Sequence, residues 1–364
     1  MLSRYLYHND EVKYSIITSI LKREDFNECL FWISEYYYSG YEIWNLVWKM
    51  YYDFYAINSP KLERFIKKMY KKWIAKKKIV YILHIFKNFY FNPHPSNLTF
   101  LVRMKMKTQT TPANSYLGRT PKWLKNFEYK KKYKNLLLSI HKKHYSNIAY
   151  YLNRYKKNIE ELYNLIVDYY EKIKEINLKK NWKHFEDHLY SNKLHILIAL
   201  IFHLNIPEKE IHIREIHLLI DEAQLKFVVE TNTLPDRLYK TLKLKRLFKI
   251  NPNISCFDLE RYTTDIQQIL WNHWEYYSYS TPIWKERFDK YEIQINNEEH
   301  SIKFKKEDEE IDFYEKYNYE PDEQDKETQE KSIGELIDLT ITDWVLYIFK
   351  DQVMCLDNKK KYKY

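Results

Sequence analysis

Three groups of residues have types and spacings that chemistry could use. The first is HLLIDEAQ, residues 217–224, where an apolar run ends in two carboxylates. On a strand this is the Walker B arrangement, in which Asp221 would hold magnesium and Glu222 would activate water. That chemistry needs a loop that grips phosphate, built on closely spaced glycines whose backbone can approach the anion. The three glycines, Gly40, Gly118 and Gly334, are too far apart to form one. An amphipathic segment ending in charges is therefore the better reading of 217–224. The second group is histidine. His141 and His144 stand three residues apart and His188 and His195 seven apart, so each pair would share a helix face. Zinc takes three or four ligands, and no nearby Cys or acid completes a set. Solvated or hydrogen-bonded imidazoles are expected, with no metal and no other cofactor. Nucleophile elbows, H-E-x-x-H and EF-hand spacings do not occur, so no catalytic residue is assigned and a non-enzymatic role is expected.

The third group interleaves cations with rings. Arg103–Lys134 carries ten Lys/Arg against Glu128 alone, and Pro60–Lys78 carries nine against Glu63 alone. The candidate nucleic-acid contacts are Lys67, Lys68, Lys71 and Lys72 in the earlier block. In the later block they are Arg103, Lys105, Lys107, Tyr116, Arg119, Lys122, Trp123, Lys125, Lys130, Lys131 and Lys132. Cations would neutralise phosphates while rings stack on bases, which suits a backbone or single-strand binder. The plainer alternative is a solvated loop and helix with its rings turned inward. A further one is docking on an acidic partner, or on the chain's own acidic block at 307–330, which holds twelve Asp/Glu and two Lys.

The elements that must position these groups read as helices. Low glycine argues against many tight turns, and Ser59-Pro60, Thr111-Pro112, Thr120-Pro121 and Thr281-Pro282 each place a capping hydroxyl before a residue suited to the first helical position. After Ser59, the residues Leu62, Phe65, Ile66, Met69 and Trp73 form one helical stripe. The stretch FWISEYYYSGYEIWNLVWKMYYDFY, residues 31–55, holds twelve aromatic residues among 25. Trp44, Val47, Trp48, Tyr51 and Tyr55 share a stripe, while Tyr52 and Phe54 lie off it, which predicts a helix buried over much of its circumference. Gly40 separates it from a helix at 25–38.

A fainter copy follows. SILKREDFNECLFW (19–32) resembles SIHKKHYSNIAYYL (139–152), and WNLVWKMYY (44–52) resembles YNLIVDYY (163–170), which reads as a duplicated helical hairpin. Further on, 193–204 is a short apolar helix, 211–230 is helix or strand, and 258–291 returns to aromatic helices. The alternation around Asn296-Asn297 predicts a β-hairpin. Ser332 to Glu335 has the form of a capping box opening a helix with Ile337, Ile341, Trp344, Val345 and Ile348 on one side. Cys29 is expected to be a reduced, buried thiol in an intracellular compartment. No apolar run reaches the length of a bilayer span, and the first residues lack a signal-peptide core.

The expected architecture is mainly α, built of stacked, repeat-like helical hairpins with a small β-hairpin and an acidic linker before a C-terminal helix. Its divisions are an N-terminal helical-hairpin domain at 1–110, a basic loop and second hairpin unit at 111–185, and a C-terminal helical domain at 186–290. A β-hairpin at 291–306, an acidic linker at 307–331 and a docked helix at 332–350 follow.

Three stretches carry a family resemblance: DFNECLFWISEYYYSGYEIWNLVWKMYYDFY, RTPKWLKNFEYKKKYKNLLLSIHKK and WNHWEYYSYSTPIWKERF. They resemble uncharacterised proteins of nucleocytoplasmic large DNA viruses of the mimivirus-like kind, over most of residues 1–290. The resemblance implies a place in the host cytoplasm, viral factory or virion, and brings no activity with it. Over about 45 residues, SIITSILKREDFNECLFWISEYYYSGYEIWNLVWKMYYDFY is also similar to the C-terminal helical collar of MgsA/RarA clamp-loader-like ATPases. That likeness implies a packing module without chemistry. The resulting expectation is a viral scaffold or accessory protein that binds a viral or host protein through helical-repeat surfaces. The alternative is a nucleic-acid-binding factor in replication, transcription or genome packaging.

Overall fold

The computed structural model describes residues 1–113, 119–125, 133–178, 185–205, 217–232, 248–249, 266–317, 324–329, 337–338 and 341–350. The fold is mainly α with one small antiparallel hairpin, as the low glycine content and helical spacing predict. Helices run in the order α1 (Asn9–Lys22), α2 (Phe26–Tyr38), α3 (Ile43–Met50), α4 (Leu62–Lys76), α5 (Val80–Tyr90) and α6 (Leu98–Thr108). Next come α7 (Lys122–Lys125), α8 (Lys134–His141), α9 (Tyr145–Tyr155), α10 (Ile159–Lys174), α11 (Lys193–Asn205) and α12 (Glu222–Asn232). The last are α13 (Ile266–Tyr279), α14 (Pro282–Phe288), α15 (Glu307–Tyr317), α16 (Lys326–Gln329) and α17 (Ile341–Phe349). Strand β1 (Phe248–Lys249) pairs in parallel with β4 (Ile337–Asp338). Strands β2 (Ile293–Asn296) and β3 (Ser301–Phe304) form the hairpin, with Ile293 opposite Phe304 and Ile295 opposite Ile302.

The aromatic stretch is core. Trp44, Val47, Trp48, Tyr51, Tyr52, Phe54 and Tyr55 are all buried, and α3 continues into a π-helical turn over Tyr51–Tyr55. Gly40 ends α2 at φ +82, the left-handed conformation that lets Gly40 and Tyr41 N–H groups return to the carbonyls of Tyr37 and Tyr36. In α4, Leu62, Phe65, Ile66 and Met69 are buried and Trp73 half-buried, while Lys68, Lys71, Lys72 and Lys76 face solvent. Pro282 begins α14 after Thr281, but the Thr281 hydroxyl does not cap the helix. It donates to Leu2 O at 2.6 Å.

The two segments that look alike in sequence end and restart their helices in the same way. Arg23 and Lys143 both sit at φ 54. In the first junction Arg23 N–H returns to Ile20 O and Glu24 N–H to Ser19 O; in the second Lys143 returns to Ile140 and His144 to Ser139. Each is a Schellman ending, followed at once by a new helix.

The chain divides into two compact units, each assembled from three sequence segments rather than from the sequential blocks expected. One contains residues 1–46, 68–91 and 218–344. In it α1 packs on α2, α2 on α12 and α1 on α5. The N-terminal strand of chain is clasped there: Arg4 Nε meets Glu35 Oε2 at 3.0 Å, Tyr5 N–H donates to Glu35 Oε1, and Trp284 Nε1 donates to Arg4 O. Trp274, Trp284, Phe288 and Phe313 form its second aromatic cluster. The other unit contains residues 47–67, 92–217 and 345–364. There α6 packs against the π-helical turn, α9 and α11, with α8 on α9 and α10 on α11.

Two expectations are corrected. The first part of the supposed acidic linker is helix α15: Glu307, Asp308, Glu309 and Glu310 lie at its positive end, and Phe313 and Tyr317, one turn apart, are buried. Ile337 lies in strand β4 instead of the last helix, which begins at Ile341 and buries Trp344, Val345, Ile348 and Phe349. The capping residues 332–335 fall outside the described residues. The helix expected after Thr111-Pro112 would run through residues outside the described ones; Ala113 N–H donates to Asn147 Oδ1 at 2.8 Å. Of the helix or strand expected over 211–230, the described part is helix α12, preceded by residues 217–221. Cys29 is buried, as expected, and forms no disulfide among the described residues.

Candidate functional site

The π-helical turn adds a residue to the helix and so turns Tyr52 and Asp53 inward together. Its defining bond runs from Ala56 N–H to Tyr51 O at 2.8 Å. Asp53 is thereby enclosed, and Arg103 of α6 grips it through two parallel bonds, Nε to Oδ1 and Nη2 to Oδ2, both 2.8 Å. This is the bidentate geometry that guanidinium offers a carboxylate. His195 of α11 brings Nε2 within 2.9 Å of Oδ1. His195 Nδ1 lies 3.1 Å from the Tyr190 hydroxyl.

A second chain of contacts joins the first through stacked rings. Tyr190 lies on Tyr52 with centroids 5.6 Å apart. The Tyr52 hydroxyl is 3.0 Å from His188 Nε2, which is 3.3 Å from Glu63 Oε1, and Lys67 Nζ donates to that same oxygen at 2.6 Å. His188 Nδ1 accepts the Tyr190 N–H, so the neutral ring carries its proton on Nε2 and offers it to Tyr52 and Glu63.

Electrostatics keeps the cluster balanced. Burial alone would raise the Asp53 carboxyl, but Arg103 and His195 outweigh it and hold Asp53 well below the usual carboxylate range. Burial lowers His195 and His188 despite the pull of Asp53 and Glu63, so both imidazoles are neutral at pH 7. Asp53 and His195 side chains have no solvent exposure and Arg103 has 12 %. The arrangement therefore holds polar groups paired inside a core.

Arg103 is accordingly a core ion-pair residue and not a phosphate contact, correcting its assignment. Asp53, missed in sequence, carried a signal: it is the one acid in YYDFY, and a carboxylate on a helix apolar all round needs a cation. His188 and His195 do not share a helix, since His188 precedes α11. They are brought into one network by Tyr52 and Tyr190. His141 and His144 also diverge. His141 Nδ1 meets Tyr169 OH at 3.1 Å, whereas His144 caps α9 by accepting Asn147 N–H. Asp221 caps α12 through Gln224 N–H and pairs with Lys87 at 3.3 Å, at the surface. Among the described residues no group of His, Cys, Asp or Glu is arranged to hold a metal ion, and no helix is long and apolar enough to cross a membrane.

The remaining cationic candidates separate by exposure. Lys67 is committed to Glu63. Lys105 is half-buried; Lys107, Arg119 and Lys122 are exposed. Trp123 is half-buried and packs against His141 and Tyr169. Tyr116, Lys130, Lys131, Lys132 and the Lys125 side chain lie outside the described residues. Lys68, Lys71, Lys72 and Lys76 share one exposed face of α4. Among the described residues no carboxylate lies within ion-pair distance of any of the four. No protein-family model, curated protein or solved structure matches the chain.

Proposed function

We propose that this chain is a non-catalytic accessory protein that acts by binding, and that its ligand is the backbone of nucleic acid. The observation that supports this is the α4 ridge: Lys68, Lys71, Lys72 and Lys76 are exposed and have no acid partner among the described residues, while Lys87, Arg103 and Lys285 are committed to carboxylates. An uncommitted row of cations gains from displacing the counterions condensed on a polyphosphate. The groups that could have moved protons, Asp53, His195 and Tyr190, are locked into the core. The resemblance to proteins of large DNA viruses fits a role in replication, transcription or genome packaging in the viral factory. The matching helix junctions at Arg23 and Lys143 support reading the two units as carrying copies of one helical hairpin.

The test is retention on double- and single-stranded DNA and RNA across a salt series. Binding that weakens steeply with salt is expected; no retention at low salt contradicts the reading. A scaffold role toward a viral or host protein is the second reading, favoured by Leu219 and Val229, both more than half exposed around α12. Co-purification that survives nuclease treatment favours it; loss of partners on nuclease treatment favours the first.

A further inference from the structure

The end of α4 has a backbone that its residue type does not favour. Lys77 follows the helix at φ +50, a conformation helix ends usually give to glycine. Its N–H donates to Trp73 O at 2.7 Å and its carbonyl accepts the Tyr37 hydroxyl at 3.0 Å. The same hydroxyl accepts the Trp73 indole N–H at 3.3 Å. So fixed, Lys77 lays its ammonium 4.0 Å from the centre of the Trp73 ring. Lys72 lies 5.9 Å from the centre of the Tyr81 ring.

We infer that Lys68, Lys71, Lys72, Lys76 and Lys77 form one site for the phosphate backbone of double-stranded nucleic acid, bound without regard to sequence. The inference rests on the nucleic-acid reading above and adds the place, the strandedness and the mode. Helix-dipole compensation accounts for cations in the last turn, Lys76 and Lys77, but not for Lys68, Lys71 and Lys72 further up. Successive side chains on this face stand about 5–6 Å apart, a ladder of point charges suited to a regularly charged polymer. The five residues of the site are all lysine, with Arg64 exposed one turn before Lys68. Lysines offer point charges rather than the paired amide or guanidinium groups that read base edges, which argues against sequence readout. Single-strand binding relies on free ring faces. Here Trp73 lies under Lys77 and against Trp44, and Tyr70 packs on Trp44. With both rings half-buried and engaged by the protein, charge density decides, and the duplex has more of it. A lipid surface is disfavoured because the apolar face of α4, Leu62 to Met69, is buried, leaving Ile74 as its one well-exposed large aliphatic side chain.

The experiment is fluorescence anisotropy of the full chain with a labelled duplex, a single strand of equal length and vesicles containing phosphatidylserine, at several salt concentrations. Duplex binding should be the tightest, with a log–log salt slope of about −4 to −5. Lys68→Gln/Lys71→Gln/Lys72→Gln together should lower affinity at least about 10-fold and make the slope shallower by about one per lysine. Lys77→Gly should reduce the slope by about one without lowering the melting temperature, because glycine relieves the left-handed backbone. Salt-sensitive duplex binding that these variants leave intact overturns the site but not the nucleic-acid reading. Equal or tighter binding of the single strand, or of the vesicles, overturns the duplex assignment. No binding to any nucleic acid at low salt overturns both.

Discussion

Arg103 and Asp53 are fifty residues apart in sequence and meet through two parallel bonds of 2.8 Å inside one compact unit. The carboxylate is fully enclosed, so its desolvation is offset only while the guanidinium stays in place. Asp53→Ala should therefore destabilise the chain by about 3–5 kcal/mol by leaving Arg103 uncompensated. Urea denaturation of Asp53→Ala, Arg103→Met and the double variant checks this. The double variant should lose clearly less than the sum of the singles, and additive losses would show that the pair is not coupled.

Stability should depend on pH through buried imidazoles. His188, His195, His84 and His141 all have lowered affinity for protons in the folded state, chiefly from burial. A depressed histidine contributes stability that is complete above its unfolded value of about 6.5 and is lost as pH falls below it. Asp53 adds a second loss, below about pH 4, as its depressed carboxyl takes up a proton. Urea midpoints should thus be level above about pH 7, fall from about 6.5 to 5 and fall again below 4. His188→Gln should shrink the first step and leave the second. An unchanged first step would place the titration elsewhere.

Gly40 supports the turn between α2 and α3. A Cβ there would meet Pro282 Cδ at 3.3 Å and would have to tolerate φ +82. Gly40→Ala should cost about 1–2 kcal/mol from the backbone alone, measured as a fall in thermal midpoint.

Thr281 ties the first residues down through its bond to Leu2 O, and both groups are buried. Thr281→Val keeps the shape and removes the donor, stranding a buried carbonyl at a cost of about 1–3 kcal/mol. Limited proteolysis near residues 1–8 should accelerate relative to the parent chain. Unchanged cleavage would mean that Trp284 and Glu35 hold the segment without it.

Local periodicity made much of the fold legible. The stripes of α4 and α17, the break at Gly40 and the alternation of β2 and β3 each follow from repeats of 3.6 or 2 residues within a short window. Charge runs misled where a few apolar residues decided the outcome. Phe313 and Tyr317 make α15 a packed helix within an otherwise acidic stretch. Arg103 is adjacent to lysines in sequence, but α6 turns it toward Asp53 while Lys107 faces solvent. Pairing across fifty residues, and a π-helical turn that re-aims one side chain, leave no periodic trace. The α4 lysines were legible as a cluster. What singles them out, exposure without an acid partner among the described residues and a left-handed Lys77, is set by the three-dimensional fold and leaves no mark in the sequence.

Protection of lysines from acetylation, read by mass spectrometry with and without duplex DNA, locates the ligand most directly. Protection of Lys68, Lys71, Lys72, Lys76 and Lys77, with Lys107 and Lys122 modified equally in both samples, is the predicted result. Protection at Lys107 and Lys122 with the α4 lysines unchanged, or no protection anywhere, would contradict it.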